Sequence, residues 1–188
     1  MSHKSFRTKS TLKLALLSAL ALGAVAASLP AFAVNSATVN ASATVVLPIA
    51  LAKVGDISFG KFAPGTAPSV VTVFTDGTRT QTGGAFLLTG APTVSTLNVS
   101  GEASTAYTVT YTPSGPNVTN AALDTMAVTY FSKKSTVTDG TTATGTFTAG
   151  TLSGAGAESI IVGAQLAVGA LQAPGLYSGS ILVSVDYN

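Results

Sequence analysis

The chain has 188 residues, of which 46% are hydrophobic and only 9% charged, with no Cys, no Trp and one His. That hydrophobic share excludes a disordered acidic or basic tail. The absence of cysteine excludes a disulfide framework, a thiolate zinc site, a cysteine nucleophile and a lipidated cysteine.

Lys4, Arg7, Lys9 and Lys13 form a basic head, Leu14 to Leu29 is an uncharged run, and Pro30 with Ala31-Phe32-Ala33 ends it on small residues. This order is that of a secretory signal peptide over residues 1–33. The run falls short of the roughly 20 apolar residues that span a bilayer, so no stable membrane span is expected after cleavage. Cleavage after Ala33 leaves residues 34–188 as a single predicted domain, exported to the periplasm and then to the cell surface or beyond. His3 and four of the nine basic residues leave with the signal. The remainder has five basic and seven acidic residues, a net charge of −2, and no His, Cys or Trp. It therefore lacks the commonest general base and the commonest transition-metal ligands. Nor does it carry a basic patch suited to nucleic acid. No cofactor or metal is expected.

Residues 34–188 hold 26 Thr and 15 Ser, and alternation at period two recurs between Gly, Pro and Asp-Gly breaks. That pattern predicts short strands. Ala37, Val39, Ala41, Ala43, Val45, Leu47, Ile49 and Leu51 are apolar at every odd position, with polar residues between them up to Thr44. Pro48 divides this run into extended pieces at Ala37–Leu47 and Ile49–Lys53. Ile57–Phe62 reads as a strand with a glycine bulge. Ser69–Thr75 and Thr78–Thr82 flank Asp76-Gly77, a hairpin signal. Further strands are predicted at Ala85–Thr89, Val94–Val99, Tyr107–Thr112, Met126–Phe131, Thr142–Thr148, Ser159–Val168 and Tyr177–Tyr187, with a low-complexity stretch over 140–157. Many short strands at regular spacing predict an all-β sandwich; a closed barrel is the alternative.

No catalytic constellation emerges. Asp76 and Asp139 each precede Gly, where Asp forms turns, and all seven carboxylates read as solvated turn or edge residues. Lys133-Lys134 reads as a solvated edge. Ser132 to Ser135 offers no Ser-Lys dyad, because neighbours on a strand point to opposite faces. Gly154-Ala155-Gly156 lacks the rest of a dinucleotide fingerprint. Tyr107 and Tyr111 share a strand face; they read as core, with an aromatic sugar platform as the alternative.

The informative features are terminal. Residues 34–47 carry no charge, although soluble proteins guard edge strands with charges, Pro or bulges. Such a strand pairs either within its own sheet or with a neighbour's, and head-to-tail pairing between copies builds a filament. At the other end, Tyr187 is penultimate, Val185, Val183 and Ile181 alternate before it, and Gly175 is fourteenth from the end. This terminus resembles that of chaperone–usher pilins. Ile57-Ser58-Phe59-Gly60 together with Ala173-Pro174-Gly175-Leu176-Tyr177-Ser178-Gly179 is similar to the spore-coat-U-like pilins, and more closely to the bacterial domain-of-unknown-function 4402 family.

The resemblance implies an immunoglobulin-like sandwich that lacks one strand. It also implies a donor strand in which Val39, Ala41, Ala43, Val45 and Leu47 fill pockets of the next subunit. Gly175, Ile181, Val183, Val185 and Tyr187 would mark the C-terminal acceptor strand, which a periplasmic chaperone meets first. The implied partners are copies of the chain or related subunits, that chaperone and an outer-membrane usher. Pilins of these groups usually have a disulfide and larger donor residues, so a self-complemented monomer stays open. The function expected is a non-enzymatic structural subunit of a surface fibre or coat. The competing readings are a self-contained sandwich that binds a glycan or surface, and a small carboxylate hydrolase.

Overall fold

A computed structural model describes residues 35–113, 117–136 and 145–188. The predicted signal peptide lies outside the described residues, as do residues 142–144 of the strand predicted at Thr142–Thr148. The chain divides into two compact units, 1–42 and 43–188. In the first, residues 35–42 carry no strand and are exposed.

The second unit is all β, as the alternation predicts. In chain order the strands are β1 (Ala50–Val54), β2 (Phe62–Ala63), β3 (Ser69–Val73), β4 (Arg79–Gly83), β5 (Phe86–Leu87), β6 (Ser95–Ser100), β7 (Ala106–Pro113), β8 (Asn117–Thr119), β9 (Thr125–Lys134), β10 (Ala149–Thr151), β11 (Ala157–Val168) and β12 (Ile181–Tyr187). All pairings are antiparallel. β11 is the centre of the larger sheet. One of its edges takes β6 and then β3 end to end; the other takes β9. β1 lies beyond β6, β4 beyond β3 and β8 beyond β9. A second sheet runs β10-β7-β12, and β2 pairs with β5.

The two larger sheets share a core, in a sandwich arrangement. Leu97 and Val99 of β6 and Ile160 and Val162 of β11 meet Tyr107 and Val109 of β7, with Val183, Val185 and Tyr187 of β12 packed against them. A second cluster gathers Val71, Val118, Met126, Leu166 and Val168, flanked by Phe59, Phe62 and Tyr177. One face of β11, from Glu158 through Ile160, Val162, Ala164 and Leu166 to Val168, is buried, and on the other only Gly163 is. At its middle, Gly163 is paired with Phe131, and a Cβ there would lie 2.5 Å from the Phe131 ring. The ring thus covers the glycine's face and supplies the apolar surface that glycine lacks.

Several predicted boundaries shift, for local reasons. The Asp76-Gly77 hairpin forms between β3 and β4, with Gly77 at φ 84° and Asp76 Oδ1 accepting from the Thr78 amide (2.8 Å) and hydroxyl (2.6 Å). Those bonds hold the Asp76 carboxyl below its usual range, the Thr78 hydroxyl contributing most. The piece at Ile57–Phe62 is split into an isolated Ser58–Thr93 bridge and Phe62 at the start of β2, with Gly60 turning the backbone between them at φ 67°. Residues 145–148 are not a strand. The Ser132 hydroxyl accepts from the Phe147 amide (2.9 Å), the Tyr111 hydroxyl donates to the Phe147 carbonyl (3.1 Å), and pairing resumes only at β10. Short β8 carries no alternation long enough to announce it.

Two charge readings are corrected. Glu158 is buried on β11, and Lys134 forms an ion pair with it; neither is a freely solvated edge residue.

Candidate functional site

β12 pairs with β7 along its whole length, from Ile181↔Pro113 to Tyr187↔Tyr107. Among the described residues its other edge has no ladder partner. Its alternation sorts side chains as predicted: Ile181, Val183, Val185 and Tyr187 are half-buried, while Leu182, Ser184 and Asp186 are exposed.

Beside this strand the sandwich is open. A cavity of about 340 Å³ is bordered by Ile181 and Val183 and floored by the core residues Leu97 and Val162. A second of about 720 Å³ continues past Met126 and Leu166 to residues 172–177. Ile57, Phe59, Val118 and Tyr177 line both cavities, so the two form one trough. One wall comes from the chain after β1, the other from the chain leading into β12. The Lys53–Asp56 pair on the rim (2.5 Å) is exposed and adds little to stability.

Specific bonds hold both walls. Arg79 donates to the carbonyls of Phe59 (2.6 Å), Lys61 (3.3 Å) and Leu88 (2.8 Å), fixing the first. On the second, the Tyr177 hydroxyl donates to the Ala173 carbonyl (2.8 Å) and accepts from Gln172 (2.9 Å). Gln172 also donates to the Thr125 carbonyl (3.2 Å). Gly175 sits at φ 155° against Asn120, where a Cβ would lie 3.2 Å from Nδ2.

The predicted donor residues are all exposed and carry no strand. Val45 is 95% and Leu47 63% exposed. At Leu47 the extension is tied down. Its amide donates to Glu102 Oε2 (3.0 Å), and its carbonyl accepts from the Tyr187 hydroxyl (2.8 Å). The Glu102 amide donates to the same hydroxyl (2.5 Å). Gly101 permits the approach, since a Cβ there would sit 2.1 Å from Tyr187 Oη. The penultimate tyrosine thus joins the last strand, the β6–β7 turn and the root of the extension. Arg79, Gly101, Glu102 and Gln172 carry no sequence signal for these roles, because their partners are backbone carbonyls, a backbone amide and tyrosine hydroxyls that only the fold brings to them.

The alternative aromatic platform is not presented. Tyr107 is fully buried, its hydroxyl has no hydrogen-bond partner, and burial, then the nearby Glu158 carboxylate, push it up to about 12. Tyr111 is half-buried with its hydroxyl on Ser132 (2.7 Å), and burial raises it. Among the described residues no group of three or more acidic, His or Cys side chains could hold a metal. No helix among them is long and apolar enough to cross a membrane.

No curated protein and no solved structure matches the chain. Residues 49–187 match the family described as Domain of unknown function (DUF4402), which takes in β1 through Tyr187 and so both walls of the trough. The chain belongs to the DUF4402 family.

Proposed function

We propose that this chain is an exported, non-enzymatic structural subunit of a bacterial surface fibre or coat, assembled by donor-strand exchange. Residues 37–47 of one copy lie along the open edge of β12 in the next. Val39, Ala41, Ala43, Val45 and Leu47 then enter the trough. The fold on this reading is an immunoglobulin-like sandwich lacking one strand. A periplasmic chaperone covers the same edge before assembly, and an outer-membrane usher exports the subunits.

One observation carries the reading: the free edge of β12 borders a trough floored by core side chains, in a chain that also has an uncharged, alternating, unpaired segment. A strand laid there gains ladder hydrogen bonds, and its alternate side chains gain burial. At about 3.3 Å per residue the segment spans ~36 Å against ~23 Å for β12, long enough to continue past Tyr177. Because root and trough belong to different surfaces of one copy, the contact is head to tail and does not close.

The test is an unheated denaturing gel of the mature protein beside a variant lacking residues 34–47. A heat-sensitive ladder that disappears in the variant supports exchange. A monomer in both lanes, with the variant unstable, refutes it and leaves a self-completed sandwich.

A further inference from the structure

The larger cavity of the trough is lined by Leu176, and two more exposed leucines sit on the loops that carry its lining residues Gln172 and Gly175 or pack on them. Leu123 lies on the β8–β9 turn, and Leu171 and Leu176 on the loop before β12; they are 81%, 73% and 87% exposed. The two loops adjoin. Gln172 donates to the Thr125 carbonyl at 3.2 Å, and Gly175 packs on Asn120, whose carbonyl accepts from the Leu123 amide at 3.0 Å.

The backbone here is unusual. Among the described residues only three non-glycine residues have positive φ, and two are Leu123 (68°) and Leu171 (50°). A bulky side chain is a poor choice for the left-handed region, where Asn or Gly is favoured. An outlier of this kind, placed on a solvent-facing apolar patch, points to a binding role.

We propose that this leucine rim seats the root of a second copy's extension, Val45-Val46-Leu47, so that the inserted strand runs antiparallel to β12. The inference rests on the exchange reading above. Three observations support it. First, polar residues occupy the even positions from Thr38 to Thr44, but Val46 breaks that rule. At its root the strand is therefore apolar on both faces, and the face turned from the trough needs a partner. Second, the largest donor residue, Leu47, lies at the root with Val45 beside it, whereas Ala41 and Ala43 are small and Val39 lies at the far end. The cavity beside Ile181 and Val183 holds about 340 Å³ and the one that reaches Leu176 about 720 Å³. The larger pair of side chains meets the larger cavity when Leu47 points to the leucine rim. Third, each copy ties its own Leu47 to Tyr187, at the end of β12 away from the Thr119–Ser178 bridge beside the rim. Root and rim thus sit at opposite poles, as a chain of identical copies requires.

Because the chain has no cysteine, engineered thiols can pair only with each other. Val46→Cys combined with Leu171→Cys, oxidised with copper phenanthroline and heated without reductant, is expected to give a reducible ladder. Val46→Cys with Ala155→Cys, on the β10–β11 turn, is expected to give none. In parallel, Leu123→Asn with Leu171→Asn puts a tolerated residue at each positive φ. The thermal midpoint should hold or rise while assembly weakens about tenfold or more, the scale set by re-exposing a leucine. A ladder from the Ala155 pair alone, or undiminished assembly of the Asn variant, overturns the leucine seat and leaves exchange standing. A wild-type chain that forms no ladder overturns both. If the Asn variant fails to fold, the two cysteine pairs decide.

Discussion

Removing one oxygen should loosen the root of the extension. Tyr187→Phe keeps the ring against the core cluster but deletes a hydroxyl that donates to the Leu47 carbonyl and accepts from the Glu102 amide. Each net hydrogen bond is worth about 1 kcal/mol, and losing a partner costs most where a group stays shielded from water. The Leu47 site is exposed and the Glu102 site partly buried, so the expected loss is about 1–2 kcal/mol by that scale. Urea denaturation of the monomeric fraction reads it directly, with an unchanged slope if only contacts are lost. Glu102→Ala should overlap with it, because both changes free Leu47. A double-mutant cycle should return a coupling of at least ~0.5 kcal/mol. A Tyr187→Phe loss below ~0.3 kcal/mol, within the scatter of ordinary surface changes, would refute the clamp. So would strict additivity with Glu102→Ala.

The first wall of the trough should depend on Arg79. Arg79→Met keeps the stem but frees three carbonyls, and charge-assisted bonds of this kind predict a loss of about 2–4 kcal/mol in urea denaturation, with Arg79→Lys rescuing only part of it. Lys134→Met leaves Glu158 buried and unpaired. It should cost about 3–5 kcal/mol, whereas Lys134→Met with Glu158→Leu should recover most of the loss. Tyr107 has a raised folded value near 12, so its stabilising contribution is complete below pH ~10 and is lost as pH rises from ~10 to ~12. Tyr107→Phe should flatten that alkaline fall and leave neutral-pH stability unchanged or higher, since the hydroxyl has no hydrogen-bond partner.

The strands that depend on their own side chains were legible in the sequence. β12 shows it: Ile181, Val183 and Val185 alternate with Leu182, Ser184 and Asp186, and burial follows the same period. The β3–β4 hairpin was legible for the same reason, because Asp76-Gly77 builds its turn locally. What escaped was set by distant partners. Glu158 reads as a solvated carboxylate until β9 brings Lys134 beside it. Thr142–Thr148 reads as one strand until Ser132 and Tyr111 take the backbone groups of Phe147. Of the candidate site, the C-terminal strand and Gly175 were legible. The trough itself was not, because an empty place between two walls has no residues of its own.

Where the root sits also bears on whether the extension completes its own copy. Leu47 is held at the Tyr187 end of β12. A segment reaching that point along its own groove would run parallel to β12, a slightly weaker ladder. It would place Val45 and Leu47 toward the smaller cavity and Ala37, Val39 and Ala41 toward the larger one. Exchange reverses both disadvantages. Moving residues 37–47 from the N-terminus to a position after Asn188, through a short Asn-Gly turn, makes the reversed direction available within one copy. This fusion should run as a single monomer band without a ladder. It should also melt above the chain lacking residues 34–47, since each fully buried Val or Leu is worth about 1.5–3 kcal/mol. A fusion no more stable than the truncated chain would show that the trough does not accept this segment in that direction, and the exchange geometry would fall with it.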